Sequence, residues 1–258
     1  MAQQRVVLIT AGAAGIGRVI AESFIASGER VHICDVSQTF LDEFCVANPS
    51  AEGTLCDVSD VVQVNKLFDE VEAVYGRLDV LVNNAGVAGP TSAVEDIEPD
   101  EWDRTIGVDL NGVFYCTRRA APLIRTAKGC IINMSSNAGL FGFPLRSPYT
   151  AAKWAVIGLT KTWAMELGPY GVSVNAICPG SVNGPRIERV IELDAEKRGV
   201  SPDHIRDIYQ RQSSMRTFID PEDIAGTIQF LCSPSGKHIS GQALAIDGHT
   251  EGLSNWLS

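Results

Sequence analysis

Seven short apolar runs, rich in β-branched residues, recur along this 258-residue chain. They are "RVVLIT" (5–10), "RVHICD" (30–35), "GTLCD" (53–57), "LDVLVN" (78–83), "GCIINM" (129–134), "VSVNAI" (172–177) and "QALAID" (242–247). Longer segments with helical spacing separate them. In "VVQVNKLFDEVEAVYG" (61–76), Val64, Leu67, Val71 and Val74 fall on one helical face. The runs are continuously apolar rather than alternating, which implies burial on both faces, as in a parallel sheet covered by helices. The expectation is an α/β fold with a doubly wound parallel seven-stranded sheet, helices on both faces and right-handed crossovers. No Pro/Gly/Ser-rich linker or repeat divides the chain, so residues 1–258 read as a single domain.

One segment departs from the rhythm. Residues 181–220 are rich in Arg, Glu and Asp, and read either as a solvated helical face or as a lid over a site. The net charge of −10, without a Lys/Arg cluster, argues against nucleic acid as a partner. Seven cysteines are scattered with no CxxC pair, which argues against a disulfide framework or a zinc site and for a reducing compartment. The N-terminus lacks a signal-peptide layout and no apolar run is long enough to span a bilayer, so the expected setting is cytoplasmic, with no membrane partner. The four histidines are dispersed, and no metal is expected.

The first run leads into "TAGAAGIG" (10–17), where Gly12, Gly15 and Gly17 open a helix. Glycines let a backbone approach a pyrophosphate, and a helix N-terminus offers free N–H groups and partial positive charge. The spacing is G-x-x-G-x-G, and a plain tight turn would also explain it. The second run ends in Asp35, where a carboxylate can accept hydrogen bonds from ribose hydroxyls and would repel a 2′-phosphate. No Arg or Lys lies in 10–17 or 36–38, so NAD is favoured over NADP. Asp57-Val58 and "NNAG" (83–86) end the third and fourth runs, where loops would wall the cofactor.

With "TAGAAGIG", "NNAG", Asn111 in "DLNGVF", Ser136, "YTAAK" (149–153) and "NAICPG" (175–180), the chain resembles the short-chain dehydrogenase/reductase family over nearly its whole length. The resemblance implies a Rossmann fold, NAD as cofactor and hydride transfer at a secondary alcohol or ketone. It implies cofactor contacts at Gly12, Ala14, Gly15, Ile16, Gly17, Asp35, Val36, Asp57, Val58, Asn84, Ala85, Gly86, Tyr149, Lys153, Pro179, Gly180 and Val182. Two positions depart from the family pattern. Ala11 stands where glycine is usual, and Gly184 where many members carry a threonine that Asn183 or Ser181 would have to replace.

Ser147-Pro148 reads as a helix cap and first turn, which puts Tyr149 and Lys153 one turn apart on one face. A free tyrosine titrates near pH ~10, and a neighbouring ammonium favours its phenolate. The resemblance makes Tyr149 the group that takes the alcohol proton. Lys153 would tune it and bind the nicotinamide ribose, and Ser136 would hydrogen-bond the substrate oxygen. Asn111, flanked by Gly107 and Gly112, would sit at a break in its helix and hold a water against Lys153 as a proton relay.

The helix over 149–167 is apolar around much of its circumference, with Trp154, Val156, Leu159, Trp163 and Leu167 all to be buried. One sheet face cannot cover all of these, so a homotetramer is expected, with a dimer as the alternative. The substrate is a small molecule: a polyol, a sugar-like alcohol or a hydroxy acid. Residues near Ala88–Thr91, Asn137–Arg146 and Ser181–Arg189 would shape its pocket, with Phe141 and Phe143 as walls or core, and Arg146, Arg186 or Arg189 either pairing with an anionic group or solvating the surface. Two other readings stay open, a 3-oxoacyl thioester reductase and a catalytically silent NAD-binding sensor.

Overall fold

The structure is a computed structural model that describes residues 4–253 and, at Lys197, the backbone alone. Residues 1–3 and 254–258 lie outside the described residues. The seven apolar runs form strands β1 (Val6–Thr10), β2 (Arg30–Asp35), β3 (Glu52–Leu55), β4 (Val80–Asn83), β5 (Cys130–Met134), β6 (Ser173–Pro179) and β7 (Ala243–Ile246). They pair in parallel in the order β3-β2-β1-β4-β5-β6-β7. The chain winds outward from β1 in one direction and from β4 in the other. That reversal opens a crevice beyond the C-terminal ends of β1 and β4, where ligands of such sheets sit.

The helices are α1 (Gly15–Ala26), α2 (Gln38–Ala47), α3 (Val61–Tyr75), α4 (Pro99–Ile106), α5 (Gly112–Ala127), α6 (Ser147–Leu167), α7 (Pro185–Arg198), α8 (Pro202–Gln210) and α9 (Pro221–Leu231). Successive strand side chains point to opposite faces, which divides the core in two. Val7 and Ile9 of β1 pack with Ile20, Phe24, Phe44 and Ile228 on the side of α1, α2 and α9. Val6 and Leu8 pack with Val64, Phe68, Ile124 and Trp163 on the side of α3, α5 and α6. Each fully buried Phe or Leu contributes about 1.5–3 kcal/mol by leaving water.

Three local expectations are corrected. In α3, Val64, Leu67 and Val71 are buried, but Val74 is 52% exposed and Phe68 takes its place. The last turn runs past the sheet and ends at Gly76, whose φ of 64° stops the helix. At the start of α6, Ser147 is already helical, and Arg146 occupies the cap position with no side-chain cap bond. The proline still lies in the first turn, so the phase of Tyr149 and Lys153 is unaffected. Of the α6 residues expected to be buried, Val156, Trp163 and Leu167 are covered by the chain's own sheet, whereas Trp154 stays 51% exposed.

α4 and α5 form one rod interrupted by a π-helical turn at Gly107–Asn111. Gly112 follows it because a Cβ there would lie 2.7 Å from Val58 Cγ2. The charged segment forms the pair α7–α8, which buries Ile187, Ile191, Ala195, Ile205 and Phe218 in a small core of its own. No described helix is long and apolar enough to cross a membrane.

Candidate active site

The loop leaving β1 is held close by its neighbours. A Cβ on Gly12 would meet Ile33 Cγ2 at 2.6 Å, and one on Gly17 would meet the Ala11 carbonyl oxygen at 2.1 Å, so the backbone lies where side chains cannot. Asn84 clamps the turn, donating from Nδ2 to the carbonyls of Thr10 (3.0 Å) and Ala11 (3.1 Å). Thr10 Oγ1 in turn accepts from the backbone N–H groups of Asn84 and Ala85, both at 2.9 Å. α1 then begins at Gly15 with Ala14 at its cap, and no side chain bonds its first-turn N–H groups. Together with Ile16, this is an uncapped helix N-terminus of the kind that receives an anion.

Asp35 ends β2 nearly buried, at 9% exposure. Its carboxylate accepts from Ala13 N at 3.3 Å and from Ser37 N at 3.1 Å, which holds it against the glycine turn, while Val36 beside it is exposed. Arg18, just inside α1, donates to Glu22 at 2.8 Å and lies over the Phe44 ring. Asp57 orders its own turn by accepting from Ser59, and Val58 behind it is buried. At the end of β6, Gly180 donates to Ile246 O at 3.0 Å, and Val182 bridges to Ile219 beside Pro179-Gly180. Asn183 Nδ2 donates to Asp220 Oδ1 at 2.6 Å, which uses one of its two N–H groups. The predicted cofactor residues thus collect on loops at the C-terminal edge of the sheet. The glycine cradle, the uncapped helix start and the strand-end carboxylate fit a dinucleotide.

Tyr149 and Lys153 share one face of the first turns of α6, with Lys153 Nζ 5.4 Å from the centre of the Tyr149 ring. Lys153 is 4% exposed and donates to Met134 O at 3.1 Å, which fixes the amine at the end of β5. Ser136 follows β5, 8% exposed. Its Oγ accepts from Ala138 N and donates to Asn137 Oδ1, both at 3.1 Å. The neighbouring Ser135 instead donates to Lys153 O at 2.9 Å, inside the core.

Asn111 does not join this group. It ends the π-helical turn exposed, and lines an outward groove with Leu110, Phe114, Ala155, Gly158 and Leu159. The residue that meets Lys153 is Asp109, two positions earlier and fully buried, with Oδ2 3.3 Å from Nζ. The extra residue in the π turn rotates 109 inward and 111 outward. The sequence did hold a signal for this: an aspartate set between Val108 and Leu110 in an apolar helix needs a partner.

Arg146 also borders Tyr149, its guanidinium carbon 5.4 Å from that ring and 5.5 Å from the Phe143 ring. It donates to Ala88 O at 2.6 Å, joining the 88–91 loop to the start of α6. Burial lowers its guanidinium from the usual arginine range, with Arg186 repelling it and Tyr149 opposing the shift. Arg186 and Arg189 are exposed. On β6, burial pushes the Cys178 thiol up to about 11, so it stays neutral beside the site.

Comparison with known proteins agrees with this geometry. Residues 11–250 match the family model described as Enoyl-(Acyl carrier protein) reductase. The chain is 34% identical to 3-oxoacyl-[acyl-carrier-protein] reductase FabG of Thermotoga maritima, over 95% of this chain and 96% of the relative. It is 37% identical to trans-4-hydroxycyclohexanecarboxylate dehydrogenase of Sinomonas cyclohexanicum, over 95% and 92%. Among solved structures, NAD+-bound xylitol dehydrogenase superposes with a TM-score of 0.88 at 29% identity, covering 94% of this chain and 97% of that one. A variant of actinorhodin polyketide ketoreductase with NADPH gives 0.89 at 32% identity, covering 99% and 100%. The doubly wound sheet, the glycine turn and the Ser136–Tyr149–Lys153 arrangement therefore have one common source: this chain is a member of the short-chain dehydrogenase/reductase family.

Proposed function

We propose that the protein is an NAD-dependent oxidoreductase interconverting a secondary alcohol and its ketone, with Tyr149 as general acid and base. The observation that carries this reading is the buried Lys153 amine beside the Tyr149 ring at the open edge of the sheet. When bound, the nicotinamide supplies the hydride acceptor for oxidation or the donor for reduction. Tyr149 takes the hydroxyl proton during oxidation and returns it to the carbonyl oxygen during reduction. Lys153 favours the phenolate by its charge. Ser136 presents a fixed hydroxyl to the substrate oxygen, where charge develops. Asp35, with Arg18 tied to Glu22, supports NAD over NADP, because a 2′-phosphate would meet a carboxylate and no free cation.

Arg146 beside Tyr149 supports a hydroxy acid as the substrate class, its guanidinium meeting the carboxylate. α7–α8 form the lid over that end of the crevice. The outward groove of α5 and α6, with its close-approach positions Ala155 and Gly158, supports a homotetramer in which a second copy covers it. The same residues would also reduce a 3-oxoacyl thioester, the substrate class named for the Thermotoga maritima relative. Alcohols, polyols, hydroxy acids and a 3-oxoacyl thioester, each with NAD(H) and NADP(H), separate these readings. We expect NAD to be preferred, and Tyr149→Phe to lower kcat by about 10²-fold or more while NAD binding persists. A preference for NADP, or full activity in Tyr149→Phe, would refute the proposal.

A further inference from the structure

Cys130 and Cys232 are 102 residues apart in the chain, yet their sulfurs stand 3.4 Å from one another. Cys130 opens β5 and Cys232 caps the C-terminal end of α9. The pair therefore lies at the N-terminal edge of the sheet, opposite the crevice with Ser136 and Tyr149. Both belong to the core on the side of α1, α2 and α9. Each keeps a little exposure, 5% and 8%, whereas Cys34, Cys56, Cys116 and Cys178 are at 1% or less. A disulfide holds its sulfurs at about 2.05 Å, so closing this one asks for an approach of about 1.4 Å. Cys232 sits at the end of its helix rather than inside it, where such a shift breaks no helical hydrogen bond of the interior.

The two thiols are not equivalent. Arg5, paired with Glu29 at 2.7 Å, also donates to the Cys232 carbonyl oxygen, which sets its guanidinium beside the pair. Ser173 is the neighbour of Cys130 across the parallel β5–β6 ladder. The Cys232 thiol donates to the Cys130 sulfur and, against burial and together with Ser173 and Arg5, holds the Cys130 thiol below the usual cysteine range. The same bond, with burial, pushes the Cys232 thiol well above it. Cys130 is thus the sulfur that ionises and attacks, and Cys232 the one that resolves. Cys34 also meets Cys56, but the two are 0% and 1% exposed, and that bond and burial push the Cys34 thiol up. That contact stays reduced.

We propose that Cys130 and Cys232 are a reversible redox site, which hydrogen peroxide joins in a disulfide that staples the end of α9 to β5. The Cys130 thiolate attacks a peroxide oxygen and the O–O bond breaks. Cys130 becomes a sulfenic acid, and the leaving oxygen takes a proton and departs as water. Cys232 then attacks the sulfenic sulfur, its proton leaves with the hydroxyl as a second water, and the S–S bond forms. Two thiols lose two electrons, and one peroxide is reduced to two waters. A dithiol reductant returns both electrons and both protons. The staple ties the helix that packs on α1 to the strand that leads to Ser136. It also constrains the unfolded chain across the 102-residue separation, which favours the folded state. The site is independent of the oxidoreductase reading.

The test exposes reduced protein to hydrogen peroxide, alkylates it in denaturant and maps it by mass spectrometry. Free thiols are expected to fall from seven to five, with one pair of peptides linked through Cys130 and Cys232. Dithiothreitol should restore all seven. The urea midpoint should rise by about 1 M in the oxidised form. Cys232→Ser should keep its midpoint under peroxide and hold Cys130 as a sulfenic acid that dimedone labels. Cys232→Ala is read in the same way if the serine variant does not fold. All seven thiols retained, thiols lost without that link, or a linked protein with an unmoved or lowered midpoint overturns the proposal. So does a Cys232→Ser protein whose Cys130 escapes the label.

Discussion

Ala11 is where a single residue is most at odds with its place. It has a φ of +49°, in a region that costs a residue with a Cβ about 1–2 kcal/mol relative to glycine. The clamp from Asn84 and the close passage of Gly17 hold it there. Ala11→Gly should therefore raise stability by up to about 1 kcal/mol, the strain relieved less the extra freedom gained by the unfolded chain. A denaturant melt checks this, and a lowered midpoint would show that the methyl is doing packing that outweighs the strain. At this scale most of the site was legible. Tyr149 and Lys153 share a face as their spacing predicts, since a helical turn converts a four-residue interval into shared direction, whereas Ser136 was singled out by the family resemblance. Asn111 does not face Lys153, because a π turn breaks the correspondence between position and direction.

The pairing of β2 with β3 illustrates how an element is held at the sheet's edge. His32 on β2 is 3% exposed, with Nε2 2.8 Å from Thr54 Oγ1 and Tyr75 packed edge-on at 5.9 Å between ring centres. Burial pushes His32 down to about 4 and Tyr75 up to about 12, so both rings are neutral around pH 7. The folded value for His32 lies below the unfolded one near ~6.5, so the unfolded chain binds the proton first on acidification. Stability is then present above pH ~6.5 and is lost as pH falls toward ~4, by about 2 kcal/mol at pH ~5. Thermal or urea melts between neutral and mildly acidic pH should show this slope, and His32→Asn should flatten it. An equal slope in both proteins would assign the acid sensitivity to other groups. The central strands were readable as elements because each is continuously apolar, whereas β3 at the edge is largely exposed, and the ends moved by one or two residues in either direction as hydrogen bonding set them.

For the molecule as a whole, the open question is the outward side of α5 and α6. Phe114, 46% exposed, lines the groove that includes Asn111 and Gly158, and Trp154 and Met165 of α6 are 51% and 80% exposed. Exposed apolar area of this kind beside small residues suits close packing with a second copy. Light scattering of the wild-type protein should give a tetramer at micromolar concentration, and Phe114→Glu a smaller species, because a carboxylate there would be buried without a partner. A wild-type monomer would overturn the assembly.

The sequence alone determined the layer architecture, the glycine turn and the shared face of Tyr149 and Lys153, because apolar continuity, turn chemistry and helical phase act over a few residues. The tertiary structure decided what meets Lys153. Asp109 reaches it only because α4 and α5 are joined out of register and packed across α6, and a contact between elements distant in the chain depends on their crossing, which local spacing does not record.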